Sequence, residues 1–253
     1  MKVTSAARLF PLMALFLSVS FACGTGAAST EAPEATEVAA QPDAATEPAV
    51  AAAQEFFTEE FEGDTSNWSY FYVDGTKPVP VRADSEFGTM TVGADGGALV
   101  FDLQSDGQWV YTTYDPVVYE NVRVDVKAEN RGVNNNNVSL ICRYGDEGWY
   151  EFNVANNGLF WIYHALVVAP DNRVIYSLLA DGGSNKIKSG KEVNEYAIVC
   201  EDRTLTLYIN GFETRTLEEN KYVLRDGLIG LSVSSFDNLP VQVEFDWVKI
   251  SAP

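Results

Sequence analysis

The amino-acid sequence predicts an all-β fold, a β-sandwich of the jelly-roll kind. Three observations carry that reading. First, apolar and polar residues alternate with a period of two. Val122, Val124, Val126 and Ala128 alternate with Arg123, Asp125 and Lys127. Leu205, Leu207 and Ile209 alternate with Thr206 and Tyr208, and Val241, Val243, Phe245 and Trp247 with Gln242, Glu244 and Asp246. This period sets one face of a strand on a core and the other toward solvent or a cleft. Second, turn-forming residues punctuate the chain at Asp95-Gly96-Gly97, Asn156-Asn157-Gly158, Asp181-Gly182-Gly183 and Asn210-Gly211. Third, no segment shows a long helical period with caps.

In chain order, the first segment reads as an address. Lys2 and Arg8 form a basic start, and Leu9 to Phe21 is an apolar run too short to span a membrane comfortably. The run ends in Ser20-Phe21-Ala22-Cys23-Gly24. This resembles a bacterial lipoprotein signal, which implies removal of residues 1–22 and lipidation of Cys23. An ordinary secretory signal with an incidental cysteine is the alternative, and either one exports the protein. Lipid would anchor the chain by about 0.8 kcal/mol per buried CH₂. Residues 24–54 are rich in Ala, Thr, Glu and Pro, with Pro33, Pro42 and Pro48 and neither basic nor aromatic residues. Such a composition cannot offset the entropy of ordering. With the lipidated Cys23, this segment (23–54) reads as a disordered tether, spanning on the order of 30 Å as a flexible coil.

Residues 55–253 have the size of one β-sandwich. Beyond the three alternating stretches, strands are expected at 56–62, 68–73, 98–103, 108–114, 137–144, 148–154, 159–165, 173–180, 195–201 and 228–234. Composition narrows the function classes. Thirty-six acidic residues against 17 basic ones give a net charge of −19. A surface this acidic is unsuited to tracking a phosphate backbone, so no nucleic-acid partner is expected. One histidine and three cysteines exclude multi-histidine and four-cysteine metal centres. No phosphate loop, dinucleotide fingerprint or nucleophile elbow is present.

The order of segments resembles a known family. Phe56-Phe57-Thr58-Glu59-Glu60-Phe61 leads to Asn67-Trp68, and Gly148-Trp149-Tyr150-Glu151-Phe152 follows Val138 to Tyr144. Then come Thr204-Leu205-Thr206-Leu207-Tyr208-Ile209-Asn210-Gly211, Gly227-Leu228-Ile229-Gly230-Leu231 and Val243-Glu244-Phe245-Asp246-Trp247-Val248. The pattern is similar to the concanavalin A-like (laminin-G-like) jelly roll, in the branch that includes the 3-keto-disaccharide hydrolase domains. The resemblance spans nearly all of 55–253. It implies the fold, which serves lectins, glycosidases and adhesion modules alike.

In an exported protein, Cys142 and Cys200 are expected to pair once Cys23 carries lipid, and the resembled fold implies that their strands lie close enough. Glu60, Glu62 and Asp64 flank the first strand and Asp246 lies on the last. Pairing of these strands would gather carboxylates for a structural calcium, which takes hard oxygen ligands; solvated surface acids are the plainer reading.

Glycoside hydrolysis generally needs two carboxyls about 5–9 Å apart. Glu244-Phe245-Asp246 supplies a same-face pair. In the jelly-roll glycosidases of family sixteen the motif continues to a second glutamate, whereas Val248 and Lys249 stand at those positions here. Asp146, Glu147 and Glu151 cluster near Arg143 and could line a cleft, the plainer reading being solvated turn acids, and His164 reads as a hydrogen-bonded structural residue. Binding is better supported. Sugars present apolar faces and hydroxyl edges, which match aromatic rings beside polar side chains. Trp149, Glu151 and Asn153 share one strand face, opposite Tyr150, Phe152 and Val154, while Trp161 and Tyr163 share a face of the next strand. With Arg143 they form the expected ligand patch. The expected function is a surface-tethered, non-catalytic module that binds carbohydrate or another cell-surface ligand. The alternatives are a glycoside-processing enzyme of the 3-keto-disaccharide hydrolase type and a protein-binding adhesion module.

Overall fold

The computed structural model describes residues 55–74, 80–81, 89–132, 136–168 and 173–253. The signal and tether expected over 1–54, Cys23 among them, lie outside the described residues. Sixteen strands follow in chain order: β1 (Phe57–Glu59), β2 (Trp68–Asp74), β3 (Pro80–Val81), β4 (Met90–Asp95), β5 (Ala98–Leu103), β6 (Gln108–Tyr119), β7 (Val122–Asn130), β8 (Asn136–Gly145), β9 (Gly148–Ala155), β10 (Leu159–Val168), β11 (Arg173–Gly183), β12 (Val193–Glu201), β13 (Thr204–Ile209), β14 (Phe212–Glu218), β15 (Gly227–Ser235) and β16 (Val241–Ser251). No helix occurs among the described residues. The expected strands are present. Sequence reading passed over the two-residue β3 and also β4 and β14, whose residues are exposed or half-buried and so lack a clean apolar alternation.

The strands form two antiparallel sheets. The first runs β14-β13-β12-β7-β16-β5-β4, with β1 also paired to β16; the second runs β11-β10-β9-β8-β15-β6-β2-β3. Alternation explains the core. Val124, Val126, Ile198, Leu207, Phe101 and Phe245 of the first sheet, with Leu140, Phe152, Ile162, Leu231 and Val233 of the second, belong to one buried cluster. The intervening residues point away from it. Burial of this apolar area, at roughly 25 cal/mol per Å², is the main force holding the sheets together.

A disulfide joins Cys142 on β8 to Cys200 on β12, thus linking the two sheets. It closes a loop spanning 58 positions, and the chain-entropy account gives such a loop about 4 kcal/mol.

The turns divide into two kinds. Asn210 and Gly211 both have positive φ, as a tight hairpin turn requires. Asp181-Gly182-Gly183, expected as a turn, instead continues β11. The glycine there serves close packing: a Cβ on Gly182 would lie 2.8 Å from the Phe160 ring on the neighbouring strand.

Candidate functional site

The second sheet presents a concave outward face. Register builds it row by row. Glu151 of β9 lies opposite Tyr163 of β10 and Ile141 of β8, while Asn153 lies opposite Trp161 and Ser139. Ser139 in turn faces Ser232 of β15, which faces Tyr111 of β6. Small residues therefore occupy the middle strands and aromatic residues the flanks, which leaves a trough with a polar floor and ring walls. A cavity of about 330 Å³ lies there, lined by Trp109, Asn137, Glu151, Asn153, Trp161, Tyr163, Tyr176 and Phe236.

Glu151 lies on the floor. Its carboxyl is 2 % exposed and is bound by four donors. Tyr111 Oη donates to Oε2 at 2.8 Å and Trp149 Nε1 to the same oxygen at 3.1 Å. Ser139 Oγ donates to Oε1 at 2.9 Å, and Asn153 Nδ2 approaches it at 3.4 Å. Burial pushes the Glu151 carboxyl above its ordinary value, and the four donors pull against that rise. Burial likewise raises the Tyr111, Tyr163 and Tyr176 hydroxyls, the charge of Glu151 adding to each, so all three stay protonated donors at neutral pH. Asn153 also donates to Ser139 Oγ at 3.0 Å. That leaves Asn153 Oδ1 as a buried acceptor with no partner in the protein.

Four of the six expected patch residues, Glu151, Asn153, Trp161 and Tyr163, line this cavity. Trp149 shares their face but is fully buried. Its ring meets those of Phe71, Tyr111 and Tyr144 at 5.8, 5.7 and 5.5 Å, so it packs under the site and reaches it through Glu151 and an edge contact with Tyr176 at 6.3 Å. Arg143 lies elsewhere. Alternation from Ser139 and Ile141 would bring it to the trough, but β8 is irregular between Cys142 and Gly145, and Arg143 takes a left-handed φ of 55°. Such a bulge re-aims the side chain. The guanidinium instead donates to the carbonyls of Leu224 at 2.7 Å and Glu120 at 3.0 Å, and is a buried structural clamp. Trp109, Asn137, Tyr176 and Phe236 were missed. Trp109, Asn137 and Tyr176 sit on strands whose place in the sheet order no local pattern reveals, and Phe236 directly follows one of them, β15.

The remaining acids are dispersed. β1 does pair with β16, yet Glu60, Glu62, Asp64 and Asp246 are not gathered. Asp246 is ion-paired to Lys127 at 2.6 Å, and Asp64 accepts from Ser66 Oγ at 2.7 Å. Among the described residues no group of three or more His, Cys, Asp or Glu side chains is placed to hold a metal, so the arrangement does not fit the expected calcium. Glu244 pairs with Arg131 at 2.7 Å on the first sheet, away from the trough. Asp146 and Glu147 line a separate cavity with Arg225 and Asp226. His164 is buried, stacked on Tyr222 at 3.7 Å, with Nε2 3.3 Å from the Glu147 carbonyl. Burial lowers its pKa.

No family model and no curated protein matches the chain. Solved structures do. A family 16 glycoside hydrolase from Bacteroides ovatus, in complex with a mixed-linkage glucan product, superposes with a TM-score of 0.53 at 12% identity over 77% of this chain and 99% of its own. The β-glucanase of Bacillus licheniformis gives 0.53 at 12% identity, over 79% and 99% of the two chains. A structure from work on endo-acting O-glycanases of the human gut microbiota gives 0.55 at 14% identity, over 79% and 99%. At such identities the likeness establishes the fold, the concanavalin A-like jelly roll that the sequence resembles.

Proposed function

We propose that the trough binds carbohydrate without cleaving it, on a protein exported and held at the bacterial cell surface by lipid on Cys23 and the 24–54 tether. One observation supports this above all. Asn153, whose Oδ1 has no hydrogen-bond partner in the protein, lines the cavity between aromatic walls that include Trp161 and Tyr163. Such an acceptor takes a hydroxyl proton, and rings take the apolar face of a sugar. The fold-level neighbours include glycoside hydrolases, which is consistent with a sugar ligand by analogy only.

The non-catalytic part rests on Glu151. Among the described residues it is the one carboxyl lining the cavity, and both its oxygens already accept from the protein. A two-carboxylate hydrolysis has no second member there. The glycoside-processing alternative draws on one feature, the upward shift of Glu151, which would suit a proton donor.

A glycan array followed by calorimetry is expected to find binding that weakens about tenfold or more in Trp161→Ala, at unchanged melting temperature. Retained binding in that variant would remove the trough as the site. Time-dependent product release from disaccharides or 3-keto-glycosides, lost in Glu151→Gln, would replace the binding reading with the enzymatic one. Incorporation of a labelled fatty acid that disappears in Cys23→Ala tests the anchor.

A further inference from the structure

Trp109 stands on β6 and Tyr176 on β11, with β15, β8, β9 and β10 between them in the sheet. In a flat sheet the two backbones would be roughly 24 Å apart, five strand spacings. Instead their rings meet edge to face, with centroids 4.6 Å apart. The Tyr176 hydroxyl also lies 2.8 Å from that of Tyr111, again on β6. The sheet therefore curls until side chains from its two flanks touch across the trough.

The space under this bridge is filled. Val73, Tyr111, Ile141, Trp149 and Ala165 form a buried cluster of their own, separate from the core between the sheets. Position along β9 then gives the order of features. Trp149 lies in the plug, Glu151 and Asn153 on the cavity floor, and Ala155 in an adjoining cavity of about 350 Å³. The two cavities share Asn137, Trp161 and Phe236. The trough is thus stopped by packed rings at one end, walled by Trp161 and Tyr163 on one flank and Trp109 on the other, and continues outward past Asn156 and Asp237.

A polymer bound along its length must leave its site in both directions. A blind trough cannot let it do so. Building on the carbohydrate reading above, we propose that this protein recognises the terminal one or two units of a glycan chain and excludes internal stretches. Asn153, Trp161 and Tyr163 would hold the end unit against the plug, while the rest of the chain leaves over Asn156 and Asp237.

The test is a chain-length series on the purified mature protein. A glycan found on the array is taken as linear oligosaccharides of increasing length, as the same oligosaccharide immobilised through either end, and as a cyclic oligosaccharide of the same linkage. End recognition expects affinity to level off after the second unit, changing by less than about threefold beyond it. It also expects loss of binding on immobilisation through one end only, and no binding of the cyclic form. Affinity that climbs about tenfold or more with added units, or a cyclic ligand bound as well as the linear one, would overturn end recognition and leave the carbohydrate reading intact. Absence of binding to every glycan would overturn both.

Discussion

The first sheet turns Arg123, Asp125, Lys127 and Glu129 outward along β7, and the second turns Trp149, Glu151 and Asn153 outward along β9. Both strands alternate with the same period. On the first sheet the outward charges pair in water, Arg123 with Asp125 at 2.6 Å, Lys127 with Asp246 at 2.6 Å, and Arg131 with Glu129 and Glu244 at 3.1 and 2.7 Å. On the second sheet the outward glutamate is buried and accepts only from neutral donors. The difference is curvature. A face left open keeps its charges solvated, and one that curls over itself removes them from water and needs a donor for each oxygen. A sheet's outer surface thus becomes a site when the sheet bends enough for its flanks to meet.

The largest effect should come from the curled face. Trp149→Ala removes a fully buried ring and one donor to Glu151, and is expected to cost about 3–5 kcal/mol in urea unfolding. A loss below about 1 kcal/mol would mean the plug is not packed as described.

Glu151→Ala comes next. It removes the acceptor of Trp149 and Ser139, while Tyr111 keeps the Tyr176 hydroxyl as a partner, and after relaxation of these groups is expected to cost about 1–3 kcal/mol. Glu151→Gln separates charge from shape. Burial holds the folded-state pKa of Glu151 above the ordinary carboxyl value of 4.5. Its stabilising share is therefore present below about pH 4.5 and is lost as pH rises through the folded value. The stability of wild type relative to Glu151→Gln should fall from pH 4 to pH 8; a flat difference would show that the four donors fully offset burial.

The opposite sign is expected at Glu219. Burial works against its charge, but the Tyr150 hydroxyl at 2.6 Å and the backbone N–H groups of Lys221, Tyr222 and Val223 hold its pKa below 4.5. Its contribution is present above that value and is lost as pH falls through the lowered one. Glu219→Gln should thus flatten the acid limb of the stability profile, and an unchanged limb would assign acid unfolding to other groups.

The smallest effect belongs to the open face. Lys127→Ala, which breaks the exposed pair with Asp246, should shift the urea midpoint only slightly, an effect fading in high salt, with no change in ligand binding. A larger loss would erase the contrast between the two faces.

Several features were legible in the sequence because they are local. Alternation along 148–154 put Tyr150, Phe152 and Val154 in the core and Glu151 and Asn153 on the opposite face, and the structure has them so. Trp161 and Tyr163 pair with Asn153 and Glu151 as the next strand of a hairpin must. Arg143 misled because a bulge breaks the count of two. Asp181-Gly182-Gly183 misled because glycine signals close approach as well as turning, and here Phe160 needs the space.

What the sequence determined by itself was therefore the all-β class, most strands, and which side chains share a face, since each follows from a two-residue period and turn chemistry within a few positions. Only the tertiary structure decided which strands are neighbours and how far the second sheet bends. Strand order and curvature arise from contacts distant in sequence: Trp109 meets Tyr176 across 67 positions and six strands. No short pattern encodes such a contact, because its geometry is the accumulated twist and packing of every strand between.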